Sequence, residues 1–108
     1  MTATRLEKIR AMLEEDPQDV FLRYSLAMEQ EKMGDFEASE SGLRGLMSDE
    51  PPYVPAFFML AQHLAKHDRV NDSRTVLRTG IEVARQQDNL HAAGEMSEFL
   101  ASLGAEGE

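Results

Sequence analysis

The 108-residue sequence predicts an all-α chain of about six helices, arranged as antiparallel helix-turn-helix units. Apolar residues recur at helical rather than alternating spacing, and no segment reads as a strand. Sliding residues 17–50 over 51–84 gives eight identities, where roughly two or three are expected by chance. They are Pro17/Pro51, Val20/Val54, Leu26/Leu60, Ala27/Ala61, Lys32/Lys66, Ser39/Ser73, Leu43/Leu77 and Arg44/Arg78. The period is therefore 34 residues, and the breaks between apolar stripes fall at turn-forming residues in the same register.

The opening helix, residues 3–16, begins at Thr4 with Glu7 three residues on, a capping-box pattern. Leu6, Ile9, Met12 and Leu13 make it amphipathic. Ile9/Leu43/Leu77, Arg10/Arg44/Arg78 and Leu13/Met47/Ile81 put it in register with the second halves of both later units, so it is half a repeat. The first full unit, 18–51, runs as helix from Asp19 to Met33 and breaks at Gly34-Asp35. Phe36, Ser39, Leu43, Leu46 and Met47 then form a second one-faced stripe, which Pro51-Pro52 stops. The second unit, 52–86, starts near Pro55, a residue suited to a first helical turn. Its stripes are Ala56, Phe57, Leu60, Ala61 and Leu64, then Val70, Ser73, Leu77, Gly80/Ile81 and Ala84. The break between them, His67-Asp68-Arg69, is weaker. A terminal helix over 88–104 opens at Asp88-Asn89 and carries Ala92, Met96, Phe99 and Leu103 at i, i+4, i+7 and i+11. The chain is expected to fray from Gly104, leaving a loose tail over 105–108, and 1–108 is read as one domain.

Composition bounds the function. Hydrophobic residues at 42% and charged residues at 29% belong to a globular chain. No window is apolar enough to span a membrane, and the N-terminus lacks a secretory signal pattern. Zero cysteines exclude a disulfide frame and a thiolate site. The expectation is a cytoplasmic protein without membrane contact. A net charge of −9 argues against a nucleic-acid partner. Lys66, Arg69, Arg74, Arg78 and Arg85 outnumber the acids around them and are read as solvated helix faces.

The 34-residue helix-turn-helix unit resembles the tetratricopeptide repeat. The motif's Leu-Gly pair appears as Leu26-Ala27 and Leu60-Ala61, and its Gly-Asp-aromatic turn as Gly34-Asp35-Phe36, degraded to Asp68-Arg69-Val70. The small residue of the second helix is Ser39 and Ser73, followed by Leu43 and Leu77. The closing proline matches at Pro17 and Pro51 and is missing at Arg85. The leading aromatic slot holds Arg23 and Phe57, and the later one Gln30 and Leu64, so the first unit departs from the motif on its opening helix. The terminal segment His91-Ala92-Ala93-Gly94-Glu95-Met96 is similar to that of short bacterial proteins made only of such repeats. The resemblance covers about residues 3–104 and implies a short right-handed α-solenoid that binds other proteins.

No catalytic residue is expected. The serines lie in no nucleophile elbow, and no glycine loop could cradle a phosphate. Gly42, Gly45 and Gly80 fall inside helices, where close helix packing explains them. His63 and His67 have an i, i+4 metal-chelating spacing, and His91 is the third histidine. Without the glutamate that the metalloprotease motif needs, they are read as a half-buried His63 and an exposed His67, with no metal and no cofactor.

In the resembled family, peptides lie along a concave groove lined by the first helix of each repeat. Phe21, Tyr24 and Met28 occupy those slots in the first unit, beside a packing stripe of Leu22, Leu26 and Met33. Phe58, Gln62 and Ala65 occupy them in the second, with Lys32 and Lys66 at the edge to steer an acidic flank. Tyr24 and Met28 cannot supply the Lys, Asn and Arg clamp of chaperone-binding repeats, so that partner class is excluded. The expected function is a non-catalytic module binding a peptide or amphipathic helix of another protein. The alternative is a structural homodimer or higher oligomer built through Met96, Phe99 and Leu103.

Overall fold

The structure is a computed structural model that describes residues 4–104. Among these residues there are six helices and no strand: α1 (Arg5–Glu15), α2 (Val20–Lys32), α3 (Phe36–Met47), α4 (Val54–Lys66), α5 (Val70–Gln86) and α6 (Leu90–Ser102). The chain divides between Tyr53 and Val54 into two compact units, α1–α3 and α4–α6. The tail expected over 105–108 lies outside the described residues.

Local chemistry sets the helix ends. The Thr4 hydroxyl accepts from the Glu7 amide at 3.1 Å, and the Glu7 carboxylate accepts from the Thr4 amide at 3.1 Å, completing the capping box. Hydrogen bonding from Thr4, first from its amide and then from its side chain, holds the Glu7 carboxyl below its usual range. Asp19 caps α2 through the Leu22 amide at 2.9 Å, and Asn89 caps α6 through the Ala92 amide at 3.2 Å.

The three helices α2, α4 and α5 end in one motif. Gly34, Asp68 and Asp88 take left-handed backbone conformations, with φ of 85°, 64° and 61°. The next amide in each case reaches back over the last turn: Asp35 to the Gln30 carbonyl at 2.9 Å, Arg69 to Leu64 at 2.8 Å and Asn89 to Ala84 at 2.7 Å. The turn at Asp68 is thus the same device as that at Gly34, carried out by a residue with a Cβ. At Arg85, where the closing proline is missing, nothing halts the helix. α5 accordingly runs to 17 residues against 12 in α3.

In the second unit Val54, Ala56, Phe57, Leu60, Ala61 and Leu64 of α4 are buried, with Val76, Leu77, Ile81 and Ala84 of α5 and Ala93 and Met96 of α6. Each fully buried Leu or Phe contributes about 1.5–3 kcal/mol. The first unit has a more polar core. Ile9, Ala27, Leu43 and Leu46 are buried, and so are Gln30 and Glu31. Gln30 occupies the slot that Leu64 fills in the other repeat, and Arg23 the slot of Phe57.

Arg23 is accommodated by a pair that sequence spacing does not reveal. Its guanidinium donates to both carboxylate oxygens of Asp49, at 2.6 and 3.2 Å, joining α2 to the segment after α3. Gly45 lies beside the same guanidinium: a Cβ there would be 3.6 Å from Nη2. Hydrogen bonds from Arg23, helped by its charge, hold the Asp49 carboxyl below the usual carboxylate range.

Several expectations for the packing change: Met12 of α1 and Phe36 of α3, both placed in apolar stripes, are 48% and 46% exposed. Met33 is 63% exposed because α2 ends at Lys32 and Met33 turns out with the cap. Arg74 is buried rather than solvated: its guanidinium donates to Asn71 at 2.7 Å and to the carbonyls of Leu103 and Gly104 at 3.1 and 3.0 Å. It therefore supplies positive charge to the carbonyl end of α6. Gly104, expected to fray, is held by this contact.

Candidate functional site

On α2 the residues Phe21, Ser25, Met28 and Lys32 follow at i, i+4, i+7 and i+11 and so share one face. Phe21 is 64% exposed, and Met28 and Lys32 are exposed beside it. Between this face and α1 lies an open cleft of about 290 Å³, lined by Arg5, Lys8, Ile9 and Met12 of α1 and Phe21, Leu22 and Ser25 of α2. Met12 is 48% exposed. Among the residues assigned to the site from sequence, Phe21 alone lines the cleft; Arg5, Lys8 and Met12 were missed. Their signal was present: Arg5 and Lys8 are i, i+3 on α1, next to the apolar stripe.

Tyr24 takes a different role. It is half-buried, with its ring edge-on to Tyr53 at 5.5 Å and 73°. Burial, and to a lesser degree the neighbouring Tyr53, push its phenol above the usual value. Lys32 leans on Glu29, Nζ to carboxylate 3.4 Å, and Arg5 reaches the same carboxylate oxygen at 3.2 Å from α1. Glu29 thus bridges two cations, one from each helix.

In the second unit, Phe58 is half-buried and packs edge-on against Phe99 of α6, centroids 5.7 Å apart. Gln62 and Ala65 are half-buried and Lys66 is exposed. Met96 belongs to the core. It is 0% exposed, its sulfur lying over Gly80, where a Cβ would be 2.7 Å away. Met96 therefore has no surface to offer a second copy of the chain. Phe99 and Leu103 are half-buried, while Leu90 of α6 is exposed.

His63 and His67 are both half-buried, so His67 is less open than its spacing suggested. His91 is exposed and lies 3.5 Å from the Glu95 carboxylate. Among the described residues no three His, Cys, Asp or Glu side chains are grouped to hold a metal ion. No described helix is long and apolar enough to cross a membrane.

The chain is similar to the solution NMR structure of a tetratricopeptide repeat domain protein from Salinibacter ruber. The TM-score is 0.78 at 29% identity, covering 86% of this chain and 95% of that one. It is also similar to the solution structure of a protein from Bordetella parapertussis, with a TM-score of 0.80 at 23% identity, covering 97% and 91%. No family model and no curated protein matches the sequence. The fold is that of an all-helical repeat protein, and within that class it is tetratricopeptide-like. Folds of this kind serve in general as non-catalytic scaffolds for protein interaction.

Proposed function

We propose that this chain is a non-catalytic interaction module that receives a peptide or amphipathic helix of a partner protein on the open faces of its leading helices, with 1–108 acting as one domain. The observation that carries this reading is the exposed Phe21–Met28 stripe on α2. A large aromatic and a flexible Met left in water on one helical face are the residue types that anchor partners. The face of α4 contributes less. Phe58 already has Phe99 against it, and beside it on α4 stand the half-buried Gln62 and Ala65 and the exposed Lys66. No observation favours the homo-oligomer reading, since Met96 and Phe99 pack within their own unit.

The test is affinity capture with the immobilised full chain, followed by mass spectrometry, with Met28→Asp in parallel. Phe58→Asp is a poor control because it would also break the Phe99 contact. A partner captured by the wild type and lost on Met28→Asp, at unchanged helicity, supports the reading. Partners retained in full by Met28→Asp count against it.

A further inference from the structure

We infer that the cleft between α1 and α2 is a selective subsite for one bulky apolar side chain of a partner segment that carries carboxylates within a helical turn of it. This rests on the reading that the open face of α2 receives a partner, and adds to it a location and a charge preference. Ile9 and Leu22 form an apolar floor, and Met12 and Phe21 stand exposed on either side. The volume, about 290 Å³, lies at the lower end of ligand sites, which run from about 300 to 1,000 Å³. That suits a single anchoring side chain rather than an extended ligand.

Charge supplies the second half. The whole chain carries −9, yet both ionisable side chains that line the cleft, Arg5 and Lys8, are cations. Glu29 answers for Arg5 and Lys32 together, one carboxylate between two cations, so that group retains positive charge. Lys8 has no ion pair among the described residues. A basic rim on an acidic protein attracts carboxylates locally, which favours an acidic segment held at that point. A basic segment would instead be repelled from the cleft by Arg5 and Lys8.

The experiment is selection of a displayed random 12-residue peptide library on the full chain, with binding of the enriched peptides then measured by fluorescence anisotropy. Lys8→Glu and Met12→Ser alter the cleft alone, Met28→Asp the α2 stripe outside it, and thermal unfolding checks that each variant is folded. Enriched peptides should pair a Leu, Ile, Met or Phe with nearby Asp or Glu. They should weaken about tenfold or more on Lys8→Glu and on Met12→Ser. Their affinity should fall between about 0.05 and 0.5 M salt. Peptides that are basic or neutral, or that bind both cleft variants as well as the wild type, overturn the inference. If those same peptides are lost on Met28→Asp, the broader groove reading survives it. Enrichment of nothing overturns both. A wild-type dimer that dissociates on Lys8→Glu would show the cleft to be filled by a second copy, and overturns the peptide assignment.

Discussion

Ser73 donates its hydroxyl to the carbonyl of Ala61 at 2.7 Å, across the turn from α5 back to α4. Ser39 makes the same bond to Ala27 at 2.7 Å, also twelve residues back. Both serines are buried, and all four residues belong to the identities at the 34-residue period. The repeat thus preserves a particular bond as well as a hydrophobic pattern. A small side chain lets the two helices approach, and its hydroxyl satisfies itself on a carbonyl of the facing helix.

Ser39→Ala and Ser73→Ala should therefore each lower stability by about 1 kcal/mol, the ordinary worth of one internal hydrogen bond. Val at either position should cost more, about 1–3 kcal/mol, because it adds volume where the helices meet. Urea unfolding of the four variants measures this. Equal effects at the two sites are the specific expectation, since the geometry is the same in both repeats.

Arg74 ties the end of α6 to α5. Replacing it by Met keeps much of the length and removes the donors to Leu103 and Gly104. Charged hydrogen bonds contribute about 1.5–3 kcal/mol, so a loss of at least about 2 kcal/mol is expected. Hydrogen exchange should localise it: amides of the last turn of α6 lose protection first, while those of α2 and α3 are unchanged. Protection lost evenly along the chain would contradict this role.

The helices and their turns were legible in the sequence because they depend on local spacing. The capping box at Thr4 and Glu7, the break at Gly34 and the 34-residue identities are all signals within a few residues or at a fixed period. What was not legible depends on residues that meet only after folding. Arg23 reads as a defect in an aromatic slot until Asp49, 26 residues on, is seen to hold it. Arg74 looks like one cation in a solvated strip until the end of α6 arrives beside it. The candidate site divides in the same way. Phe21 and Met28 could be placed on one exposed face of α2 by counting turns. The cleft needed α1 to pack alongside and bring Arg5 and Lys8 to face Phe21.

The Arg23–Asp49 pair predicts a pH dependence. Asp49 has a folded pKa below its unfolded one, so the pair stabilises the fold above the unfolded value, about 3.9 for Asp, and the benefit is lost as pH falls through the folded value. Wild type should exceed Asp49→Asn in Tm at neutral pH, and the margin should close in acid below about pH 4. A margin that stays constant from neutral to acid pH would show that Asp49 acts without its charge.

Asp68 holds a left-handed conformation that Gly34 holds in the equivalent turn. An L-residue pays about 1 kcal/mol there, somewhat less for Asp, and Gly does not. Asp68→Gly should thus stabilise the fold by a few tenths to about 1 kcal/mol despite the added freedom of the unfolded chain. Gly34→Asp should do the reverse, and thermal unfolding of the two reads both signs.

Two glycines inside helices should respond oppositely to alanine. In isolation, Gly→Ala in a helix gains about 1 kcal/mol. At Gly94 a Cβ would meet nothing within 4 Å, so Gly94→Ala should stabilise by about 0.5–1 kcal/mol. At Gly80 it would lie 2.6 Å from the Phe57 Cβ and 2.7 Å from the Met96 sulfur. The sulfur can swing aside, but the Phe57 Cβ moves only with the backbone of α4. Overpacking of this kind costs about 1–3 kcal/mol and outweighs the propensity gain. Gly80→Ala should therefore shift the urea midpoint down while Gly94→Ala shifts it up, each at unchanged m. Stabilisation by both would mean that α4 and α5 stand further apart at Gly80 than these contacts require.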